Sequence, residues 1–311
     1  MIGGASRWVG DRVFFALTGA AGVALVLVIL AIGAFLVVQA VPALQDNTTS
    51  FLTTKTFTPE SDPPSFGIAV LAFGTVLTSV IAMVLAVPVA LGVAIFVTQY
   101  ASPRLAGLLG GLVDLLAAVP SVVYGLWGVA YLNRHLQPFN KGLHDDVGWF
   151  PLFGDTGGRY GKSILLAGLV LAIMVLPIVA ALSREVLLQV PSSLREAALA
   201  LGATRWEAVR TAVLPPSRPG IVSAIMLGLG RALGETIAVA LVLGSTPALT
   251  ARILGPGGNT IAANIAAKFG EYSQQGRGAL IATGLVLFVI TFAVNAVARG
   301  IVVRSARRRF S

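Results

Sequence analysis

Six long runs of apolar residues dominate this sequence, and each is long enough to cross a lipid bilayer. A helix needs about 20 residues to span roughly 30 Å of hydrocarbon. The runs cover approximately residues 14–41, 67–97, 105–132, 163–182, 220–243 and 279–303. Only 11% of the 311 residues are charged, whereas a typical soluble domain has about 25%. The sequence therefore predicts an all-α membrane protein with six transmembrane helices, in one domain over residues 1–311.

The sign and position of the charge predict topology. The formal net charge is +9, and in membrane proteins an excess of Lys and Arg marks cytoplasmic loops. Most of the excess lies in the segment 183–219 and in the tail 304–309. Arg7 and Arg12 precede the first run, which is longer than a signal-peptide core and predicts a retained anchor. We expect a multi-pass protein with both termini cytoplasmic, in contact with lipid and with no nucleic-acid partner.

Residues suited to enzymatic chemistry do not occur in recognisable patterns. The absence of Cys excludes disulfides and thiolate metal sites. His135 and His144 are predicted in a loop, too far apart for a metal site. The segment 156–163 nearly matches a nucleotide phosphate loop, but Thr156 stands where that motif needs Gly. We predict no catalytic residue and no bound metal.

The most structured stretch outside the apolar runs is the segment 191–216. It contains two capping boxes, in each of which a hydroxyl and a carboxylate satisfy free amides at a helix start: Ser193 with Glu196, and Thr204 with Glu207. Gly202 is predicted to end the first helix in a left-handed conformation. Pro215 and Pro216 are predicted to close the second. Two short helices meeting at a glycine form a compact elbow on the cytoplasmic side.

Two opposite charges lie inside the fifth run. Arg231 is about 16 Å from the start of that run at 1.5 Å per residue, near mid-bilayer. Burying it costs at least roughly 2.5–3.5 kcal/mol, so it should face protein or water. Glu235, one turn on, is predicted to share its face. The pair either joins neighbouring helices or provides positive potential for an anion, because a guanidinium matches phosphate oxygens. Gly230 and Gly234 predict a close contact with another helix, for which a second subunit is a candidate.

A further ionisable group, Asp114, is predicted to be buried in the third run, six residues before Pro120. The proline removes an amide donor and should kink this span. Two roles stay open for Asp114. A structural hydrogen bond to the broken helix backbone is favoured, and the alternative is a part in a gate.

The elbow resembles a known motif. Glu196-Ala197-Ala198, then three residues and Gly202, with Leu214-Pro215 at the end, resembles the EAA loop of ABC importer permeases, apart from Ala212 where that loop has Ile. The resemblance implies that the loop 183–219 docks in a groove of an ATPase subunit and transmits its closure to the spans. Glu196, Ala197, Ala198 and Gly202 are then the coupling residues.

Three longer stretches resemble one subfamily of these permeases. They are DLLAAVPSVVYGLWG at 114–128, LAIMVLPIVAALSREVL at 171–187 and GLGRALGET at 228–236, and they are similar to PstC-type permease subunits of the phosphate-specific ABC importer. The resemblance implies a type I ABC importer permease fold and a phosphate path at Arg231, Glu235 and Thr236.

It also implies partners that this chain works with. These are a PstA-type second permease, two PstB-type ATPase subunits that bind ATP and Mg, and a PstS-type phosphate-binding protein outside the membrane. No cofactor is expected on this chain, and ATP hydrolysis would occur in a partner. A permease for another oxyanion, such as sulfate or molybdate, remains an alternative. A stand-alone secondary transporter is disfavoured because the sequence lacks inverted repeats.

Overall fold

The computed structural model describes residues 4–154, 158, 160–243 and 253–307, and most of them are helical. The α-helices are α1 (Gly4–Asp46), α2 (Ala69–Ile95), α3 (Pro103–Ala118), α4 (Ser121–Trp127), α5 (Asn133–Val147), α6 (Ile164–Leu188), α7 (Ser192–Ala200), α8 (Arg205–Ala208), α9 (Leu214–Gly234), α10 (Ile237–Leu243), α11 (Ile261–Lys268) and α12 (Gln274–Arg307). Short π-helical turns at Phe96–Tyr100, Gly128–Leu132 and Val209–Val213 follow α2, α4 and α8. A small antiparallel hairpin pairs β1 (Phe57–Thr58) with β2 (Ser65–Phe66).

The predicted membrane architecture is confirmed. Five helical stretches in the described residues are long and apolar enough to cross a membrane: Gly10–Asp46, Ala69–Tyr100, Ile164–Leu188, Arg205–Gly234 and Gln274–Gly300. A bent helix pair, Pro103–Ala118 with Ser121–Val147, makes a sixth span when its two halves are counted as one. The chain is therefore a multi-pass, all-α membrane protein.

The third span departs from a single helix over 105–132. Its two halves are bent by 88°, with extended backbone at Val119 and Pro120. The predicted kink at Pro120 is confirmed, and it amounts to a break. The proline ring excludes the residue before it from helical geometry, and the proline has no amide to donate. Beyond the break the helix continues to Val147, well past the predicted end of the span.

The fifth span also differs from the predicted continuous helix over 220–243. It is interrupted between Gly234 and Ile237, and α10 follows only after the break. At its start, the prediction that Pro215 and Pro216 close the preceding helix is wrong. Both prolines lie in the first turn of α9, directly after the π-helical turn Val209–Val213, and such a local π adjustment lets a membrane helix accommodate proline. The helix of the elbow therefore runs directly into the span.

Close packing of α2 against α6 forms the centre of the bundle. The buried face of α2 is built from small residues, including Ala82, Ala86 and Ala90. Gly168 of α6 lies against Ile81, and a Cβ added there would stand 2.5 Å from its Cγ2 atom. In a membrane, helices associate mainly through such close contact, because lipid is as apolar as the helix surface. Small residues therefore hold the centre of the bundle together.

The directions of the helices define two ends of the bundle. We call the end that carries α7 and α8 the elbow end, and the other the distal end. The Leu165 amide, at the distal start of α6, donates to the Ile253 carbonyl at 2.9 Å. Just before α12, the Ser273 amide donates to Glu60 Oε1 at 2.6 Å, in the loop between α1 and α2. This loop lies at the distal end, so α2 and α12 both start there and run towards the elbow end. Because α9 starts at the elbow end, α12 is antiparallel to α9.

Candidate functional site

The break in the fifth span brings together the three residues predicted for a substrate path. Arg231 lies in the last turn of α9, and Glu235 follows the helix with extended backbone. Glu235 Oε1 accepts a hydrogen bond from the Ala238 amide at 3.2 Å, in the first turn of α10. Thr236 Oγ1 donates to the Gly234 carbonyl at 3.1 Å. The side chains of the two residues within the break thus satisfy backbone groups on both sides of it that the missing helical turn leaves free.

The predicted helical pairing of Arg231 with Glu235 is wrong. Because α9 ends at Gly234, the two side chains do not follow one another on a helical face. The Glu235 carboxylate serves the start of α10, and within the described residues Arg231 forms no ion pair. Its guanidinium lies within electrostatic range of the Tyr124 hydroxyl.

The breaks in the third and fifth spans meet each other. α4 packs against α10 through Gly125, where an added Cβ would stand 2.8 Å from the Ala238 Cα atom. The Tyr124 hydroxyl bridges the third-span break by donating to the Leu116 carbonyl at 2.8 Å. Interrupted helices inside a membrane are tolerated where they are buried in protein or line a water-filled cavity. Arg231 is therefore placed where two broken helices converge.

Arg231 also lines a cavity of about 660 Å³ between α9 and α12, to which α6 contributes Ile178. Its polar lining includes Ser223 from α9 and, from α12, Asn295 and Arg299. Arg299 was not among the site residues predicted from the sequence. No sequence signal pairs it with Arg231, since their common cavity depends on how α9 and α12 pack.

Asp114 is bound in a different way from the one predicted. Its partner is a side chain instead of the backbone of the broken helix, and 54% of its side chain is exposed on the surface of this chain. Arg184, in the last turn but one of α6, donates from Nη2 to Asp114 Oδ2 at 3.2 Å and to Glu185 Oε1 at 2.9 Å. Gly110 leaves the space for it, since an added Cβ there would stand 2.5 Å from Arg184 Nη1. The ion pair therefore ties α3 to the elbow end of α6.

The elbow has the predicted glycine at its corner. Gly202 has φ +86°, its amide donates to the Leu199 carbonyl at 3.0 Å, and the Ala203 amide donates to Ala198 at 3.1 Å. This pair of bonds is a Schellman motif. The Thr204 hydroxyl then accepts from the Glu207 amide at 3.3 Å in the predicted capping box.

The other predicted capping box is wrong. α7 begins at Ser192, with Pro191 in the capping position and no side-chain cap. Ser193 therefore lies inside the first turn, where its hydroxyl cannot act as the cap. Glu196 remains exposed, and within the described residues its carboxylate has no hydrogen-bond partner. Ala197 is also exposed, and Ala198 is half-buried.

Large apolar side chains are exposed beside these residues. Leu201 at the corner is 89% exposed, and Trp206 on α8 is 53% exposed. Side chains of this kind at a protein surface outside lipid are typical of an interaction site. The arrangement gives the elbow an apolar tip with a carboxylate next to it.

The weaker candidates from the sequence remain without a site. His135 and His144 lie in α5, which corrects their predicted position in a loop; nine residues apart, they project from opposite faces of the helix. Within the described part of the chain no group of His, Asp and Glu is arranged to hold a metal. In the segment 156–163, Thr156, Gly157 and Arg159 lie outside the described residues, and Ser163 Oγ caps α6 by accepting from the Leu166 amide at 3.2 Å.

Comparison with known proteins identifies the family. The model of the family described as "binding-protein-dependent transport system inner membrane component" matches residues 86–308, which include both helix breaks and the elbow. The chain belongs to this family.

Curated relatives are similar over almost the whole chain. A protein from Mycobacterium bovis named "phosphate transport system permease protein PstC 2" is 48% identical, covering 94% of this chain and 91% of its own length. A protein from Xylella fastidiosa named "phosphate transport system permease protein PstC" is 42% identical, covering 95% and 91%.

A solved structure supports the predicted fold. An inward-facing MetNI methionine ABC transporter matches with a TM-score of 0.50 at 18% identity, covering 75% of this chain and 91% of that one. At this identity the likeness shows the fold alone. The predicted type I ABC importer permease fold is confirmed.

Proposed function

We propose that this chain is the PstC-type permease subunit of an ATP-driven importer of inorganic phosphate. The observation that carries the proposal is the position of Arg231 where two broken helices meet, in a chain 48% identical to a protein named as a phosphate transport permease. Broken helices are tolerated at membrane depth where they line a cavity, and a guanidinium supplies forked donors that match phosphate oxygens.

In this proposal Arg231 attracts phosphate, and the neighbouring residues hold the break in shape. Glu235 fixes the start of α10 and Thr236 fixes the end of α9 through the bonds described above. A single arginine at the helix breaks favours transient passage over tight capture. High-affinity capture then falls to a binding protein of the PstS type, outside the membrane.

The elbow provides the connection to ATP. We propose that Glu196, Ala197, Ala198 and Gly202 contact a PstB-type ATPase, of which two copies carry ATP and Mg. The exposed Leu201 supports this, because an apolar tip fits a groove in a partner. α8 continues through a π-helical turn into α9, so a displacement of the elbow moves the helix that carries Arg231. This chain needs no cofactor and breaks no covalent bond.

A second permease subunit completes the path. Added Cβ atoms at Gly230 and Gly234 meet nothing within 4 Å, whereas Gly228 on the same helix lies against Val179 and Val175. Gly230 lines the cavity beside Arg231, whereas Gly234 presents a surface that this chain leaves open for close helix contact. We propose that a PstA-type subunit covers it, that residues 1–311 form a single permease domain, and that both termini are cytoplasmic.

Reconstitution tests this function. The chain is purified by affinity tag, and the proposal predicts that an ATPase and a second six-span protein accompany it. Proteoliposomes of that complex, supplied with the binding protein and ATP inside, should accumulate labelled phosphate, and excess sulfate or molybdate should not compete. Competition by those anions would favour the alternative oxyanion permease. Uptake by this chain alone would instead favour a secondary transporter.

A further inference from the structure

The cavity between α9 and α12 contains a second arginine that the phosphate path at the helix breaks does not use. Arg299 and Asn295 come from α12, whereas Ser223 and Arg231 come from α9. We propose that Arg299, oriented towards the same cavity as Arg231, is a second anion station on the elbow side of it, to which phosphate passes after leaving Arg231. This inference rests on the proposed function.

The cavity has the right extent and direction for such a step. Its α9 lining runs from Val222 to Arg231, which is about 13 Å of helix at 1.5 Å per residue. Arg231 lies at the distal end of this stretch. Because α12 runs antiparallel to α9, Arg299 lies on the elbow side of Asn295. The two guanidinium groups therefore occupy successive depths of one cavity.

The charge of the cavity favours an anion. Both lining arginines are positive, and no carboxylate lines the cavity. Within the described residues neither arginine has an ion-pair partner, in contrast to Arg184, which has two. An unneutralised pair of cations in a low-dielectric surrounding concentrates counter-ions.

Asn295 adds a donor group between the two arginines. One N–H of its Nδ2 group donates to the Thr291 carbonyl at 2.9 Å, one turn back on α12. That bond fixes the orientation of the amide and leaves its other N–H free for a ligand. The rest of the lining is mostly apolar, for example Met226 and Leu227, so an anion passing through meets a few fixed donors without being held tightly.

A thiol reaction measures the potential of the cavity directly. The chain contains no Cys, so Ser223→Cys introduces its only thiol, within the lining. The thiol is reacted with an anionic and with a cationic methanethiosulfonate reagent in membranes that contain the whole transporter at low ionic strength. We expect the anionic reagent to react faster, and inorganic phosphate to slow it.

Adding Arg299→Gln should lower the ratio of anionic to cationic reaction rates about fivefold, which is the effect expected for a unit charge acting over roughly 8 Å at the dielectric constant of water. Arg299→Lys should retain most of the ratio. Arg205→Gln is the matched control, because this exposed arginine starts the same helical stretch about 27 Å before Ser223, and it should leave the ratio unchanged. An unchanged ratio in Arg299→Gln would overturn the inference.

Phosphate uptake by the reconstituted complex completes the test. Arg299→Gln should lower the maximal rate at least threefold while the binding protein still stimulates ATP hydrolysis. A wild-type uptake rate in Arg299→Gln would overturn the role of Arg299 as an anion station. So would a loss of uptake that disappears in purely zwitterionic lipid, since Arg299 would then bind an anionic headgroup. If the wild-type complex carries no phosphate, the proposed function itself fails; if only Arg299→Gln behaves as wild type, this inference alone fails.

Discussion

The conformation of Gly202 permits a prediction in which only the backbone is perturbed. At φ +86° this residue is in the left-handed region, and a Cβ added to it meets nothing within 4 Å. A substitution there therefore has no steric cost from neighbours. Its effect comes from the conformation alone, which costs a residue with a Cβ about 1–2 kcal/mol. Asn tolerates the conformation better, and a β-branched residue tolerates it worst.

The consequence should appear in coupling. A loss of 1–2 kcal/mol lowers the ratio of native to non-native elbow by a factor of about 5–30, because both Schellman bonds require the left-handed residue. We expect phosphate-dependent ATP hydrolysis by the reconstituted complex to fall in the order Gly, Asn, Ala, Val at position 202. Basal hydrolysis by the ATPase should not change.

A matched glycine separates this effect from a general loss of glycine. Gly107 in α3 also has open space around an added Cβ, but an ordinary helical conformation. Gly107→Ala should leave coupling intact and stabilise α3 by about 0.5–1 kcal/mol. If Gly202→Val couples as well as the wild type, or if Asn and Val are equally defective, the reasoning about the elbow is refuted.

Three other predictions address the remaining contacts. Glu196→Gln should lower coupled hydrolysis without changing hydrogen exchange in the elbow, because its carboxylate is exposed; slower or faster exchange would indicate a structural role. Gly110→Ala should displace the Arg184 guanidinium and lower the melting temperature of the complex as much as Arg184→Gln does. Gly111→Ala is the control, because a Cβ there has open space, and it should leave the melting temperature unchanged. If the effects of Gly110→Ala and Arg184→Gln add up in the double variant, this reasoning is contradicted. The backbone hydrogen bond donated to Glu60 lowers the pKa of that carboxyl from its ordinary value. The contact therefore stabilises the protein fully above the ordinary glutamate pKa, and this stabilisation is lost as the pH falls through the lowered pKa. Glu60→Gln should abolish that pH dependence of thermal unfolding.

Local chemistry was predictable from the sequence wherever a feature depends on neighbours along the chain. The left-handed Gly202 and the capping box at Thr204 follow from residue types at fixed spacing. The membrane spans were predictable because the thickness of a bilayer sets the minimum length of an apolar helix that crosses it. The elbow motif likewise depends on residues within one short segment, and the family comparison supports it.

Features that depend on packing between distant segments were not predictable. The helical pairing of Arg231 with Glu235 assumed an unbroken helix, and no residue in that stretch is a proline that would have indicated the break. Asp114 binds Arg184, 70 residues away, and Arg299 reaches the cavity only because α12 packs beside α9. In each case the sequence supplied the charged residue, and its partner was set by the arrangement of the helices.

The central claim is that phosphate crosses the membrane past Arg231, and uptake by the reconstituted complex tests it most directly. Arg231→Ala should abolish ATP-dependent accumulation of labelled phosphate while the complex still assembles, with Arg218→Ala as the control that retains uptake. Wild-type uptake by the assembled Arg231→Ala complex would contradict the claim.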